Sequence, residues 1–150
     1  MFALVAAAPA DLPELLPRTR ALNDHEAISI ADAQLEAALR RLLGEPGLGR
    51  AWLVTDAGRP IGYAIVTFGY DLEFGGRDAY LTELWIDEPA RGRGAGSAAL
   101  ELVLRELPAL GVRAIHLQVR PENPAVALYQ RAGFARSPRW LMTRRLDGEQ

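Results

Sequence analysis

A short turn dense in glycine constrains this chain more than any other feature. Residues 81–96, LTELWIDEPARGRGAG, begin as an apolar strand and end in glycines that alternate with other residues. Residues 97–107, which follow, have apolar side chains at helical spacing. A strand, a glycine-rich turn and a helix start bring backbone N–H groups and the positive end of a helix dipole to one point. The stretch therefore predicts a site for a phosphate group.

The turn itself, RGRGAGS, admits more than one interpretation. It is not a Walker P-loop, because the Lys-Ser/Thr pair is missing. Residues 94–99 match the G-x-G-x-x-G/A pattern of dinucleotide-binding proteins, but Gln118 and Arg120 stand where that pattern expects an acidic residue. An NADP-type nucleotide binder and a purely structural tight turn therefore stay open as alternatives.

The composition indicates one globular domain spanning residues 1–150, with 49% hydrophobic and 24% charged residues. A net charge of -2 does not favour a nucleic-acid partner. With 0 Cys and 2 His, the chain offers no disulfide and no thiol nucleophile, and no metal site is predicted. No apolar run reaches the roughly 18 residues of a membrane span, so we expect no membrane partner and a cytoplasmic location.

Hydrophobic periodicity predicts the order β-α-α-β-β-β-α-β-α-β in a single α/β layer structure. The N-terminus is interpreted as a strand, because it lacks the positive region of a signal peptide. Strands are predicted at residues 2–7, 51–55, 61–70, 79–87, 112–119 and 140–146. Helices are predicted at residues 11–22, 29–44, 94–107 and 124–132.

Local signals predict where these elements begin and end. Ser29 followed by Asp32 resembles a capping box, and Gly44 should end the helix that follows. Asn123, just before Pro124, is a plausible N-cap of the last helix, and Gly133 should end that helix. The turn residues 56–59, Asp-Ala-Gly-Arg, should join two strands into a hairpin.

Two longer motifs resemble the GCN5-related N-acetyltransferases. The run Arg91-Gly92-Arg93-Gly94-Ala95-Gly96 matches their R/Q-x-x-G-x-G/A signature, and ELWIDEPARGRGAGSAALELVLREL looks like their acetyl-CoA motif. LQVRPENPAVALYQRAGF resembles their other signature, a strand, an Asn, a helix ending in LY and then GF. The resemblance covers about residues 63–134, with the two motifs in the family's order and spacing.

The resemblance implies a single mixed, mostly antiparallel sheet of about six to seven strands with helices on both faces. It implies that the strand at 79–87 splays away from the strand at 112–119. The implied reaction moves an acetyl group from acetyl-CoA to a primary amine of a small molecule or peptide. With no Cys to carry the acetyl group, direct attack in a ternary complex is expected. A homodimer is common in the family.

For the cofactor, the resemblance implies two stretches. The N–H groups of residues 93–97 would surround the pyrophosphate, with glycines allowing close approach and two arginines adding positive charge. Main-chain groups of residues 84–86 would pair with the pantetheine arm, and a backbone N–H there would stabilise the oxyanion. The predicted cofactor-binding residues are Leu84, Trp85, Ile86, Arg91, Gly92, Arg93, Gly94, Ala95, Gly96, Ser97 and Asn123.

Asn123 matches a family asparagine that contacts the coenzyme A arm, and its other interpretation is the N-cap role. The two roles are compatible. The family commonly has two residues between this Asn and the helix Ala, whereas this chain has only Pro124 before Ala125. The chain is therefore one residue shorter here, which would displace Asn123.

Glu83 is the candidate general base, because it lies on the strand beside the expected thioester. Proton transfer from an ammonium of pKa ~10.4 to a glutamate of pKa ~4.3 is uphill by roughly 8 kcal/mol. Glu83 would therefore need a raised pKa, a water relay or an amine bound neutral, and its alternative role is to orient the substrate. Tyr129 matches the family tyrosine that acts near the sulfur as general acid. Its alternative role is to pack its helix.

The acceptor pocket is expected near the first two helices and the DLEFGGR loop. His25, Tyr70, Asp71 and Glu73 border that region, and Trp85 is either a packing residue or part of the pocket. A structural or surface role is expected for His116. The rival function from another class is a non-catalytic domain that binds or senses acyl-CoA.

Overall fold

A computed structural model describes residues 1–148, and the chain divides into two units, Met1–Gln118 and Val119–Gln150. The first unit contains a five-stranded sheet with its strands in chain order. The strands are β1 (Phe2–Ala6), β2 (Gly49–Asp56), β3 (Arg59–Asp71), β4 (Gly76–Ile86) and β5 (Ala114–His116). The helices of this unit are α1 (Leu12–His25), α2 (Asp32–Gly44) and α3 (Ala95–Glu106). No helix of the described residues is long and apolar enough to cross a membrane.

The first four strands are antiparallel, and β5 pairs with β4 in parallel. The hairpin between β2 and β3 is confirmed, with Asp56 paired with Arg59. Ala57 and Gly58 have φ values of 50° and 82°, the two positive values that a tight type I′ hairpin turn requires. The local turn chemistry therefore holds these two strands in register.

Helices cover both faces of the sheet, as predicted. On one face α1 and α2 contribute Leu12, Leu15 and Leu39 to a core that includes Tyr63 and Ile65 of β3. On the other face Ala95 and Ala99 of α3 pack with Val54 of β2 and Ile86 of β4. The predicted mixed, mostly antiparallel α/β fold is confirmed. The predicted count of six to seven strands is too high by at least one in the described residues.

The sheet has fewer strands because the predicted strand at 140–146 does not form. Residues 135–148 contain no helix or strand. In this segment Trp140 is 90% exposed and Leu146 is 88% exposed. Apolar content alone does not make a strand, because a strand also needs backbone hydrogen bonds to a neighbour, and this segment has no strand partner among the described residues.

The strand predicted at 112–119 is reduced to three residues. Val112 donates its N–H back to Leu107 at 3.2 Å, and Gly111 has a φ of 78°, so the chain is still turning at this point. Pairing with β4 then runs only from Asp78–Ala114 to Tyr80–His116. β4 continues for residues 81–86 beyond its last pair with β5, at the place where the two strands are expected to splay.

The capping box predicted at Ser29 is also wrong. The N-cap of α2 is Ala31, with extended backbone and no side-chain cap bond. Asp32 forms an ion pair with Arg20 of α1 at 2.5 Å. A partner on another helix therefore holds the carboxylate that the sequence suggested for capping. The predicted end of this helix at Gly44 is confirmed.

The second unit contains the short helix α4 (Ala125–Arg131). Asn123 Oδ1 accepts a hydrogen bond from the N–H of Ala125 at 2.9 Å, which is a capping contact at the start of this helix. Gly133 has a φ of 97° and follows the helix end, as predicted. Phe134 donates its N–H to Tyr129 O at 3.0 Å.

Candidate active site

Glu83 lies on the sheet face covered by α1 and α2. An irregularity in the β3–β4 register places it there: Ile65 pairs with Glu83, but Val66 pairs with Leu81, so Thr82 is an extra residue on β4. The Thr82 hydroxyl donates to Ile65 O at 3.2 Å. Such a bulge changes the direction of the side chains that follow it. Glu83 therefore shares a face with Ile65, and Trp85 shares it with Tyr63.

The Glu83 carboxylate is held by a phenol. The hydroxyl of Tyr63, a side chain with 0% exposure, donates to Glu83 Oε1 at 2.6 Å. Burial raises the pKa of Glu83, and the hydrogen bond from Tyr63 partly opposes that rise. Burial also raises the pKa of Tyr63, followed by the effects of the Glu83 charge and hydrogen bond, so the phenol keeps its proton. The proton sits on Tyr63, and Glu83 is the acceptor of this pair.

Beyond Tyr80, the edge of β4 that faces away from β3 has no strand partner among the described residues. Asp87 donates its N–H to Ile61 O at 2.7 Å, one residue beyond the Gly62–Ile86 pair on each strand. In an antiparallel pair of strands, such a bond lies next to a pair of residues that do not bond to each other, so the N–H and C=O of Ile86 point away from β3.

The direction of the main-chain groups alternates along a strand. The N–H and C=O of Leu84 therefore also point away from β3, and the N–H and C=O of Trp85 point toward Tyr63. Leu84 and Ile86 therefore direct main-chain groups to the open edge, where the carbonyl of Ile86 accepts a hydrogen bond from Arg91.

The glycine turn leads directly into α3. Gly92 and Gly94 have φ values of 79° and 81°, in the left-handed region that favours glycine. Gly94 is the N-cap of α3 and supplies no side-chain cap bond. The N–H groups of Ala95, Gly96 and Ser97 therefore have no acceptor within the helix. The helix start presents these donors, together with the positive end of its dipole, to an anion.

The two arginines of the turn both contact other parts of the first unit. Arg91 Nε donates to Ile86 O at 2.8 Å, and its guanidinium lies 4.6 Å from the centre of the Trp85 ring. Arg93 forms an ion pair with Asp56 at 3.1 Å. The N-terminal amino group first, and then Arg93, lowers the pKa of Asp56. Arg91 thus lies along the open edge of β4, whereas Arg93 contacts the β2–β3 turn.

A cluster around Asp87 joins α1 to the end of β4. Arg18 Nε donates to Asp87 Oδ1 at 3.0 Å and Arg18 Nη2 donates to Oδ2 at 2.7 Å. Trp85 Nε1 also donates to Asp87 Oδ1, at 3.2 Å. The rings of His25 and Trp85 pack in a T-shaped arrangement, with centroids 6.2 Å apart. Trp85 therefore lies between the end of α1 and the glycine turn.

Sequence reasoning missed Tyr63, Arg18 and the role of Asp87. Tyr63 looks like any aromatic residue in an apolar strand, and its position opposite Trp85 depends on the β3–β4 register. Arg18 and Asp87 are 69 residues apart. In the sequence, Arg18 is one arginine on a predicted helix and Asp87 is one aspartate at the end of a predicted strand. Such residues are too common to identify a pair.

The residues suggested for the acceptor side are spread over the first unit. Asp71 and Glu73 form the tip of the β3–β4 hairpin, where Asp71 Oδ1 accepts the N–H of Glu73 at 2.9 Å. Tyr70 beside them is 75% exposed. His116 lies 3.0 Å from the carboxylate of Asp78, a buried residue, which fits its expected structural role.

Asn123 and Tyr129, the other two predicted site residues, lie in the second unit. The N-cap position of α4 is Pro124, and Asn123 lies one residue before it, where its Oδ1 accepts the N–H of Ala125. Tyr129 is on α4, and its ring contacts Phe134 edge-on with centroids 6.0 Å apart. The first unit brings together Glu83, the open edge of β4 and the glycine turn.

The chain matches the model of one protein family, described as the acetyltransferase (GNAT) family, over residues 16–134. It is 39% identical over 67 residues to YwnH of Bacillus subtilis (strain 168), a provisionally named phosphinothricin acetyltransferase. That match covers 41% of this chain and 41% of YwnH, so the chain spans about two-fifths of the length of this curated relative. The resemblance seen in the sequence is confirmed.

Solved structures share the fold over nearly the whole chain. An integron cassette protein, HFX_CASS3, from the mobile metagenome of Cole Harbour Salt Marsh is 31% identical, with a TM-score of 0.84 over 95% of this chain and 90% of that chain. A predicted acetyltransferase from Clostridium acetobutylicum, solved with acetyl-CoA, is 22% identical, with a TM-score of 0.77 over 96% of each chain. The second likeness concerns the fold alone.

Proposed function

This chain belongs to the acetyltransferase (GNAT) family, and on that premise we propose that it transfers an acetyl group from acetyl-CoA to a primary amine. The observation that carries the proposal is a half-buried carboxylate, Glu83, on the same strand as the outward-facing main-chain groups of Leu84 and the N–H of Ile86. In this proposal residues 1–150 act as one domain, and the acceptor is a small molecule or a peptide.

The glycine turn is the proposed pyrophosphate site. The residues present suit this group, because Ala95, Gly96 and Ser97 offer N–H donors at a helix start that has no side-chain cap. Arg91 and Arg93 add positive charge beside it. The match to the acetyltransferase (GNAT) family over residues 16–134 supports the choice of coenzyme A over a dinucleotide.

The open edge of β4 is the proposed site of the pantetheine arm. The main-chain groups of Leu84 and the N–H of Ile86 would hydrogen-bond to its amides as a neighbouring strand would, and a backbone N–H here would stabilise negative charge on the thioester oxygen. Acetyl-CoA supplies the activated acetyl group. Because Glu83 is on the same strand, its carboxylate would lie near an amine that approaches the thioester. Asn123 is proposed to contact the coenzyme A arm.

Glu83 is proposed to accept the proton that the amine loses, directly or through one water. The amine nitrogen bonds to the acetyl carbon, the carbon–sulfur bond breaks, and the electron pair leaves with sulfur. Burial raises the pKa of Glu83, which makes this proton transfer less uphill than the roughly 8 kcal/mol expected for unperturbed groups. Tyr129 is proposed to donate a proton to the leaving sulfur, or a hydrogen bond that spreads its charge.

The test is a panel of amines incubated with acetyl-CoA, with release of free thiol as the signal. The panel includes amino acids, polyamines, aminoglycosides and peptide N-termini, and the provisional name of YwnH adds phosphinothricin. We expect one class to be acetylated, and Glu83→Gln to lower kcat by about 100-fold or more. Glu101→Gln, an exposed change on α3, is the matched control.

Two outcomes would replace this function with a rival. Binding of coenzyme A without thiol release across the panel would indicate an acyl-CoA-binding or sensing domain. Thermal stabilisation by NADP but not by coenzyme A would indicate a nucleotide binder.

A further inference from the structure

We propose that Tyr63 is a positioning residue for the transfer reaction: it holds one oxygen of Glu83 and leaves the other oxygen to receive the proton of the amine. The inference rests on the proposed function of Glu83 as the base. It extends that function to a residue on a different strand, which would not touch the substrate.

Tyr63 reaches Glu83 only because of the sheet register. Tyr63 pairs with Trp85, and Glu83 pairs with Ile65, so Tyr63 and Glu83 are diagonal neighbours on one face. Diagonal neighbours across two strands are within reach of an aromatic side chain. The extra residue Thr82 sets this register, because without it the side chain of Glu83 would point to the opposite face.

The contact fixes one carboxylate oxygen and leaves the other open. Tyr63 has 0% exposure, and its hydroxyl lies 2.6 Å from Glu83 Oε1, a short bond typical of a charged acceptor. Glu83 Oε2 receives no hydrogen bond from the described part of the chain, and Glu83 is only partly buried. Because Tyr63 keeps its proton, it acts as a donor, and the free oxygen of Glu83 is the acceptor for the substrate.

Few other charges reach this face of the sheet. The α1 helix brings Arg18, which pairs with Glu14 and Asp87, and His25, whose ring contacts Trp85. The residues of α2 that pack on the core are Leu39, Leu42 and Leu43. The pKa of Glu83 responds to its own burial and to Tyr63. Loss of the Tyr63 hydroxyl should therefore change the titration of Glu83 directly.

The experiment compares Tyr63→Phe, Glu83→Gln and the double variant in the acetylation assay. The Tyr63 hydrogen bond stabilises the charged form of Glu83, so its removal should raise the pKa of Glu83 further. We expect the acid limb of the kcat/KM profile to move up by about one pH unit and kcat to fall by about 10-fold. The KM for acetyl-CoA should change by less than about twofold. Tyr80→Phe is the control, because it removes a phenol hydroxyl from β4, the strand that also carries Glu83.

The double variant separates this proposal from the proposed function. In the Glu83→Gln background, Tyr63→Phe should cause no further loss of kcat, because the two residues act through one group. A normal kcat and an unmoved pH profile for Tyr63→Phe, with Glu83→Gln impaired, would overturn the positioning role and leave the base role standing. If Glu83→Gln itself were fully active, the proposed function of Glu83 would be wrong.

A second variant covers the case in which Tyr63→Phe does not fold. Site-specific replacement of Tyr63 by 3,5-difluorotyrosine keeps the size and the hydroxyl but makes the phenol a stronger donor. The acid limb should then move to lower pH, opposite to the effect of Tyr63→Phe. An unmoved limb would contradict the proposal, because a merely structural tyrosine has no reason to change the titration of Glu83.

Discussion

Arg18 and Asp87 form a two-pronged ion pair that joins the first helix to the end of β4. Nε and Nη2 of Arg18 lie 3.0 and 2.7 Å from the two carboxylate oxygens of Asp87, and the Arg18 side chain is only 16% exposed. The hydrogen bonds that Arg18 donates to Asp87 are the largest cause of the raised pKa of Arg18. The pair holds α1 against the point where the strand enters the glycine turn.

Arg18→Met should lower the free energy of unfolding by about 1–3 kcal/mol, because it leaves Asp87 without its main partner. Arg18→Lys should have an intermediate effect, since an ammonium cannot make the same two-pronged contact. Urea denaturation measures both. Arg40→Met removes an exposed pair with Glu36 and should change stability by less than about 0.5 kcal/mol. If Arg18→Met and Arg40→Met lowered the free energy of unfolding equally, the contact with Asp87 would contribute no more than an exposed ion pair.

Stability should depend on pH through Glu83. Burial raises its pKa in the folded state above the ordinary value of 4.5, so the folded chain binds more protons than the unfolded chain in this range. The extra stability that the folded state gains from protonated Glu83 is complete below pH 4.5, and it is lost as the pH rises through the raised pKa of Glu83. Glu83→Gln should lack this decline, so the stability of the wild type relative to the variant should fall from acid to neutral pH. Parallel urea curves at each pH would contradict this expectation.

Gly94→Val should weaken binding of coenzyme A by about 10-fold or more. Gly94 has a φ of 81°, which costs a β-branched residue about 1–3 kcal/mol and would move the first N–H groups of α3. Calorimetric titration with coenzyme A measures the loss. Gly47→Val is the matched control, because Gly47 is exposed, has open space around it and does not have a positive φ. Normal affinity of Gly94→Val would remove the turn from the cofactor site.

Tyr129→Phe should lower kcat by about 10-fold and leave the affinity for acetyl-CoA nearly intact. The variant keeps the ring that contacts Phe134, so the helix should keep its packing. Steady-state kinetics with a fixed amine measures kcat, and titration with acetyl-CoA measures affinity. Unchanged turnover would remove the acid role and leave Tyr129 as a packing residue of α4.

Elements whose signals are local were predicted well. The turn at 56–59, the ends of α2 at Gly44 and of α4 at Gly133, and the start of α3 after Gly94 all depend on residues a few positions apart. Elements that depend on a distant partner were predicted poorly. β5 is three residues long and the strand at 140–146 is absent, because pairing with a neighbour decides whether an extended segment is a strand.

The sequence by itself determined the glycine turn, the helix it starts and the family to which the chain belongs, since short-range backbone preferences and contiguous motifs carry these. Only the tertiary structure decided that Tyr63 meets Glu83 and that Arg18 meets Asp87. The first contact depends on one extra residue, Thr82, in the β3–β4 register, and the second on how α1 packs on the sheet. A one-residue change of register reverses every side chain, so no local pattern could have predicted the environment of the proposed base.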